Sequence, residues 1–134
     1  MTTIARFEDI EAWQTTRELT HQIYDVTNHG EFARDFGLRD QMRRASVSIM
    51  SNIAEGFESR TSHLFTEYLG RAKGSAGELR AQLYVAKDIS YINQAEFSRL
   101  FELCDKCSRQ ISRFIQYLEQ QPNAIREEGI EYTV

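Results

Sequence analysis

Residues 93–120, NQAEFSRLFELCDKCSRQISRFIQYLEQ, decide the fold. Phe97, Leu100, Cys104, Cys107, Ile111, Phe114 and Leu118 step through this stretch by three and four without a miss. That spacing puts all seven side chains on one face of an α-helix. Asn93 followed by Glu96 is a capping-box start, in which each side chain satisfies the other residue's backbone N–H. A helix of this length with one apolar face needs other elements to cover it.

Outward from it, the same period recurs three times. The only proline is Pro122, so about 120 residues run without the residue that breaks helices. A first helix is expected from about Phe7 to Thr27, with a core stripe of Ala12, Thr16, Leu19, Ile23 and Val26. A second apolar line, Ile10, Trp13 and Tyr24, lies beside that stripe and calls for a second neighbour within or outside the subunit. Asn28-His29-Gly30 ends the helix, with Gly30 as its C-terminal cap. The next helix runs from an Asp35 N-cap to Gly56 along Leu38, Met42, Ala45, Ile49, Asn52 and Gly56. After a turn at Ser59–Ser62, Thr61 or Ser62 caps a third helix reaching about Ile89 along Phe65, Tyr68 or Leu69, Ala72, Ala76, Leu79, Leu83 and Ala86. Gly70, Gly74 and Gly77 lie inside it, each costing about 1 kcal/mol against alanine, which predicts a close approach of another helix there.

These four helices with short connections predict an all-α, antiparallel up-down four-helix bundle over residues 1–121. Residues 122–134 read as a short, acidic, mobile tail. The 134 residues amount to one domain, and a 41% hydrophobic share supports a packed core. No apolar run approaches the ~18 residues that span a bilayer, so no membrane partner is expected. Two cysteines do not suggest a disulfide scaffold, and the expected setting is a reducing cytoplasm.

Few motifs carry chemistry. Cys104-Asp105-Lys106-Cys107 has C-x-x-C spacing, yet both cysteines fall on the core seam, where cysteine acts as a small hydrophobe. A zinc site would need further ligands, and no second C-x-x-C or H-x-x-x-H exists. Glu18 and His21 have the E-x-x-H spacing of di-iron bundles, in a single copy where two are required. No phosphate-binding loop or nucleophile elbow occurs, so neither a catalytic residue nor a cofactor is expected.

Charge is more informative. The formal net charge is -4, but residues 34–87 hold nine bases against six acids, while both flanking regions are acidic. Arg39, Arg43, Arg60, Arg71, Lys73, Arg80 and Lys87 are therefore candidate phosphate contacts, with an ordinary solvated helix surface as the alternative. Arg44, Ser48, Ser51 or Asn52, and Glu55 share one helix face, which Glu78 beside Ser75 can oppose. This polar stripe reads as a structural hydrogen-bond and ion-pair network that sets register.

Gly37-Leu38-Arg39-Asp40-Gln41-Met42-Arg43-Arg44-Ala45-Ser46-Val47-Ser48-Ile49, continuing into Ser51-Asn52-Ile53-Ala54-Glu55-Gly56, carries the pattern G-L-x-x-Q-x-x-R-A-x-x-S-I-x-x-N-I-A-E-G. It resembles the signature of the bacterial four-helix-bundle proteins of 23S ribosomal RNA intervening sequences. Phe7, Ile10, Trp13-Gln14 and Tyr24 match the family's opening, and Phe65, Tyr68-Leu69, Ala72, Gly74-Ser75 and Glu78-Leu79 its third-helix motif. Where relatives commonly carry Phe-Pro, this chain has Gly30-Glu31-Phe32. The family is similar to accessory proteins of diversity-generating retroelements, which form pentameric rings and bind a reverse transcriptase and nucleic acid. The resemblance thus implies a non-enzymatic homo-oligomer, a pentamer, and the second apolar line and the third-helix glycines supply its candidate interface residues, Ile10, Trp13, Tyr24, Gly70 and Gly74. The expected function is an adaptor that binds RNA or DNA through the basic surface of the second and third helices, with a reverse transcriptase as the protein partner. The runner-up is a protein-protein scaffold that touches no nucleic acid.

Overall fold

Side-chain caps mark where three of the four long helices begin. In the structure, a computed structural model that describes residues 2–126 and 129–132, α1 spans Glu11–Val26, α2 Phe36–Glu58, α3 Ser62–Asp88 and α4 Gln94–Gln120. Asp35 Oδ1 accepts the Leu38 N–H at 3.1 Å to start α2, and Thr61 Oγ1 accepts that of Leu64 at 3.3 Å to start α3. At α4 the capping box is complete: Asn93 Oδ1 accepts the Glu96 N–H at 2.8 Å and Glu96 Oε1 that of Asn93 at 2.9 Å.

The helices close a ring of neighbours, α1 on α2, α2 on α3, α3 on α4 and α4 on α1. Each pair is antiparallel. Ser48 meets Ser75 while Gly56 meets Phe65, and Thr16 meets Cys107 while Gln22 meets Arg99. All seven apolar positions predicted along α4 are buried, from Phe97 to Leu118. In α2 the buried face is Met42, Ala45, Ser46, Ile49, Ile53, Gly56 and Phe57. Leu38 and Asn52, expected in that seam, are only half-buried, because the stripe turns toward Ile53 and Phe57.

Three expectations are corrected. The first helix does not begin at Phe7: a 3-10 turn at Phe7–Asp9 precedes α1, and Ile10 between them is extended. The Asp9 carboxylate accepts the backbone N–H groups of Ala5 at 3.0 Å and Arg6 at 3.2 Å, holding the chain in a turn. Gly30 is not the cap of α1, which ends at Val26 with Thr27 in the cap position; Gly30 sits in the following turn at φ 59°.

The third correction concerns the tail. Strands β2 (Ile125–Arg126) and β3 (Gly129–Tyr132) form an antiparallel sheet with β1 (Thr2–Ile4) in the order β1-β3-β2. Ile4 pairs with Ile130, both buried, and the Tyr132 ring lies 4.7 Å from that of Phe114 on α4. A Cβ at Gly129, where φ is 126°, would run into the Ile4 carbonyl oxygen, so only glycine lets β3 come this close. Ile130 and Tyr132 cover the open end of the core, which outweighs the acidity of the segment.

Candidate functional site

The two flanks of α3 are built from different materials. Toward α2 the contact is small and polar. Ser48 Oγ and Ser75 Oγ are 3.0 Å apart, and Asn52 Nδ2 donates to the Ser48 carbonyl at 2.8 Å and to Ser48 Oγ at 3.1 Å. One turn further on, a Cβ at Gly56 would stand 2.7 Å from Phe65 Cδ1 and 2.9 Å from Tyr68 Cβ. Gly56 is thus the glycine that lets α2 and α3 approach. Gly70 and Gly74, expected in that role, have nothing within 4 Å of an added Cβ.

Only part of the predicted polar network forms. Ser48, Asn52 and Ser75 are joined, while among the described residues Glu78 accepts only from Gln82 Nε2, at 3.1 Å. Arg44 and Glu55 are exposed and, among the described residues, make no side-chain hydrogen bond or ion pair. They stand on the outer side of α2, one helical step beyond the serine-asparagine seam, so their side chains point into solvent.

Toward α4 the contact is aromatic. Tyr84 is 50% exposed, and its ring lies 5.1 Å from Phe97 and 5.6 Å from Phe101, which are themselves 5.3 Å apart. Lys87 Nζ sits 4.6 Å from the centre of the Phe97 ring. Arg80 Nη1 approaches Asp105 at 3.5 Å, and Arg109 holds the same carboxylate. Sequence reasoning missed this cluster. The i,i+3 pair Tyr84 and Lys87 and the i,i+4 pair Phe97 and Phe101 were visible, but not that α3 and α4 present them to each other.

The seven candidate cations do not share one face. Arg39 donates to the Ala33 carbonyl at 2.9 Å and lies over Phe36; Arg43 donates to Thr27 Oγ1 at 2.9 Å and lies over Tyr24. Both therefore belong to the α1–α2 side. Arg60 occupies the α2–α3 turn over Phe57, at a positive φ of 62°. Arg71 lies over Tyr68 on the α2 flank of α3. Lys73, Arg80 and Lys87 recur every seven residues and run in one row along the α4 flank, about 10.5 Å apart at 1.5 Å rise per residue. The predicted patch is thus a row of three, with four cations elsewhere.

The candidate interface residues also separate. Ile10 is 1% exposed inside the subunit, so it packs the core and cannot meet another copy. Trp13 is half-buried, edge-on to Phe7 at 5.2 Å and with Arg17 over its ring. Tyr24 is exposed beneath Arg43, and Gly70 and Gly74 are exposed on α3.

The cysteines are core residues. Cys104 Sγ donates to the Ala76 carbonyl at 3.2 Å, and Cys107 Sγ is 2.7 Å from Thr16 Oγ1. Burial pushes the Cys104 thiol up to about 12 and the Cys107 thiol to about 11, so neither supplies a thiolate near neutral pH. Glu18 and His21 are exposed on α1, away from the bundle interior. Among the described residues no group of three or more His, Cys, Asp or Glu is placed to hold a metal ion. Nor is any helix among them long and apolar enough to cross a membrane.

Comparison with known proteins agrees with this architecture. A crystal structure of a protein of unknown function from the S23 ribosomal protein family of Bacteroides thetaiotaomicron superposes with a TM-score of 0.73. It is 18% identical over 78% of this chain and 98% of that one, a likeness of fold. No curated protein matches the chain. A family model for the 23S rRNA-intervening sequence protein matches residues 8–113, which takes in α1, α2, α3 and most of α4. The chain belongs to the 23S rRNA-intervening sequence protein family.

Proposed function

We propose that this protein is a non-catalytic, self-associating adaptor that binds RNA or DNA. The observation that supports it is the row of Lys73, Arg80 and Lys87 on the α4 flank of α3. Lys73 and Lys87 have no carboxylate partner among the described residues, and Asp105 is shared between Arg80 and Arg109. Regularly spaced cations suit a phosphate backbone, whose contacts position a strand without reading its sequence. Binding responds to this local field and not to the net charge of -4. In an assembly each copy repeats the row, which raises avidity without new contacts. A pentameric ring is the assembly that the family resemblance implies, and a reverse transcriptase the protein partner.

Fluorescence anisotropy of a labelled structured RNA, titrated over salt, tests the reading. The expected result is an affinity that falls steeply as salt rises, and a shallower fall when Lys73, Arg80 and Lys87 are all changed to Gln. Flat anisotropy at low salt rejects it.

A scaffold that binds only protein is the second reading, favoured by the outer α2–α3 face. There Arg44, Arg71 and Glu55 make no ion pair among the described residues, and Val85 and Ile89 are each 47% exposed. Two bases with carboxylates of Glu55 and Glu78, set beside exposed apolar groups, suit a second copy of the chain. Light-scattering mass should then drop for Val85→Glu, whereas an unchanged mass assigns the contact elsewhere.

A further inference from the structure

We propose that the exposed Tyr84 ring is a stacking platform for an unpaired nucleobase, so that the ligand of this surface is single-stranded nucleic acid. The inference rests on the nucleic-acid reading above and narrows it. Duplexes hide the faces of their bases, whereas a single strand presents every base for stacking on an aromatic ring. Tyr84 is half exposed, although the two rings it packs against are largely covered. Phe97 and Phe101 meet it at 56° and 74°, one contact tilted and the other edge-on, so two rings brace the phenol while half of the residue stays exposed. The brace fixes the orientation before any ligand arrives.

The charges beside the ring match the other half of a nucleotide. Tyr84 lies four residues after Arg80 and three before Lys87, about 6 Å and about 4.5 Å along the helix axis. A base stacked on Tyr84 therefore has Lys87, whose ammonium rests over Phe97, on one side and Arg80, which shares Asp105 with Arg109, on the other, each within a side chain's reach of a flanking phosphate. Lys73 extends the row for the next part of the strand. Beyond Phe101, an open depression of about 500 Å³ on the surface of α4 is lined by Glu102, Asp105, Lys106 and Arg109.

The test uses the full chain and two labelled probes, an oligo-uridine of about 20 nucleotides and an RNA duplex of similar length, which exceed the site of one such module. The wild type is expected to prefer the single strand, and Tyr84→Ala to weaken that binding about 5- to 150-fold, the worth of one stacked base. Tyr84→Phe should bind as the wild type does, which separates lost stacking from a lost hydroxyl. Lys87→Gln should lower the salt slope by about 0.7, whereas Tyr84→Ala should leave the slope unchanged. In Tyr84→Trp, the new indole should be quenched by the oligo-uridine.

Single-strand binding by Tyr84→Ala within twofold of wild type overturns the inference while the phosphate reading stands. Absence of any binding by the wild type overturns both. If Tyr84→Ala binds normally but changes the mass of the assembly, the ring belongs to a contact between copies and the inference is likewise overturned.

Discussion

On its α2 flank α3 is held by the absence of side chains, and on its α4 flank by their bulk. Ser48, Ser75 and Gly56 bring two backbones together through hydroxyls and a missing methyl. Across the bundle, Tyr84, Phe97 and Phe101 pack ring against ring along the α3–α4 edge. The first contact tolerates no added atom, whereas the second is sensitive to lost ones. Close packing explains both, since an interior without voids responds to either change in volume.

Phe65 touches both flanks, facing Gly56 on α2 and lying 5.3 Å from the Phe114 ring on α4. Phe65→Ala should therefore have the largest effect, a loss of about 3–5 kcal/mol in urea unfolding. Alkaline pH should weaken the bundle through its thiols. Their folded values, about 12 and about 11, lie above the ordinary 9.0, so the stabilisation is complete below pH 9 and is lost as pH rises toward 11–12. Unfolding measured at pH 8 and pH 10.5 should show a larger drop for the wild type than for a Cys104→Ala/Cys107→Ala variant. Equal drops would place the thiols in water.

Gly56→Ala should cost about 1–3 kcal/mol despite alanine's better helix propensity, because Tyr68 Cβ cannot yield without moving α3. In a Phe65→Ala background the same change should cost less, because the ring contacts are gone while the Tyr68 Cβ contact remains, a non-additivity that a double-mutant cycle reads directly. Ser75→Ala leaves Ser48 Oγ without that partner and should cost about 0.5–1.5 kcal/mol. Gly74→Ala should go the other way, a gain of up to about 1 kcal/mol in thermal unfolding, since its added methyl meets nothing within 4 Å. A loss there, accompanied by a smaller assembly, would mean that a neighbouring copy occupies the space.

Helices were legible wherever one face alone had to be apolar. Along α4 every predicted core position is buried, the Asp35 and Asn93 caps lie where the sequence places them, and of the two candidates for α3 the cap is Thr61. The candidate site was less legible. The count of bases in residues 34–87 holds, but it could not tell that Arg39 turns to the connection before α2 and Arg43 to the end of α1 while Lys73, Arg80 and Lys87 lie on the α4 flank. Nor did three spaced glycines in α3 identify the one in α2 that makes the close contact.

The sequence by itself determined four amphipathic helices, their order, the buried cysteines and the family signature. Each is written in local spacing, where residues three or four apart share a face. Only the tertiary structure decided which cations stand together, which glycine is crowded, and that Ile130 returns to pair with Ile4 at the other end of the chain. Those outcomes depend on residues far apart in sequence meeting in space, and no local period records such a meeting.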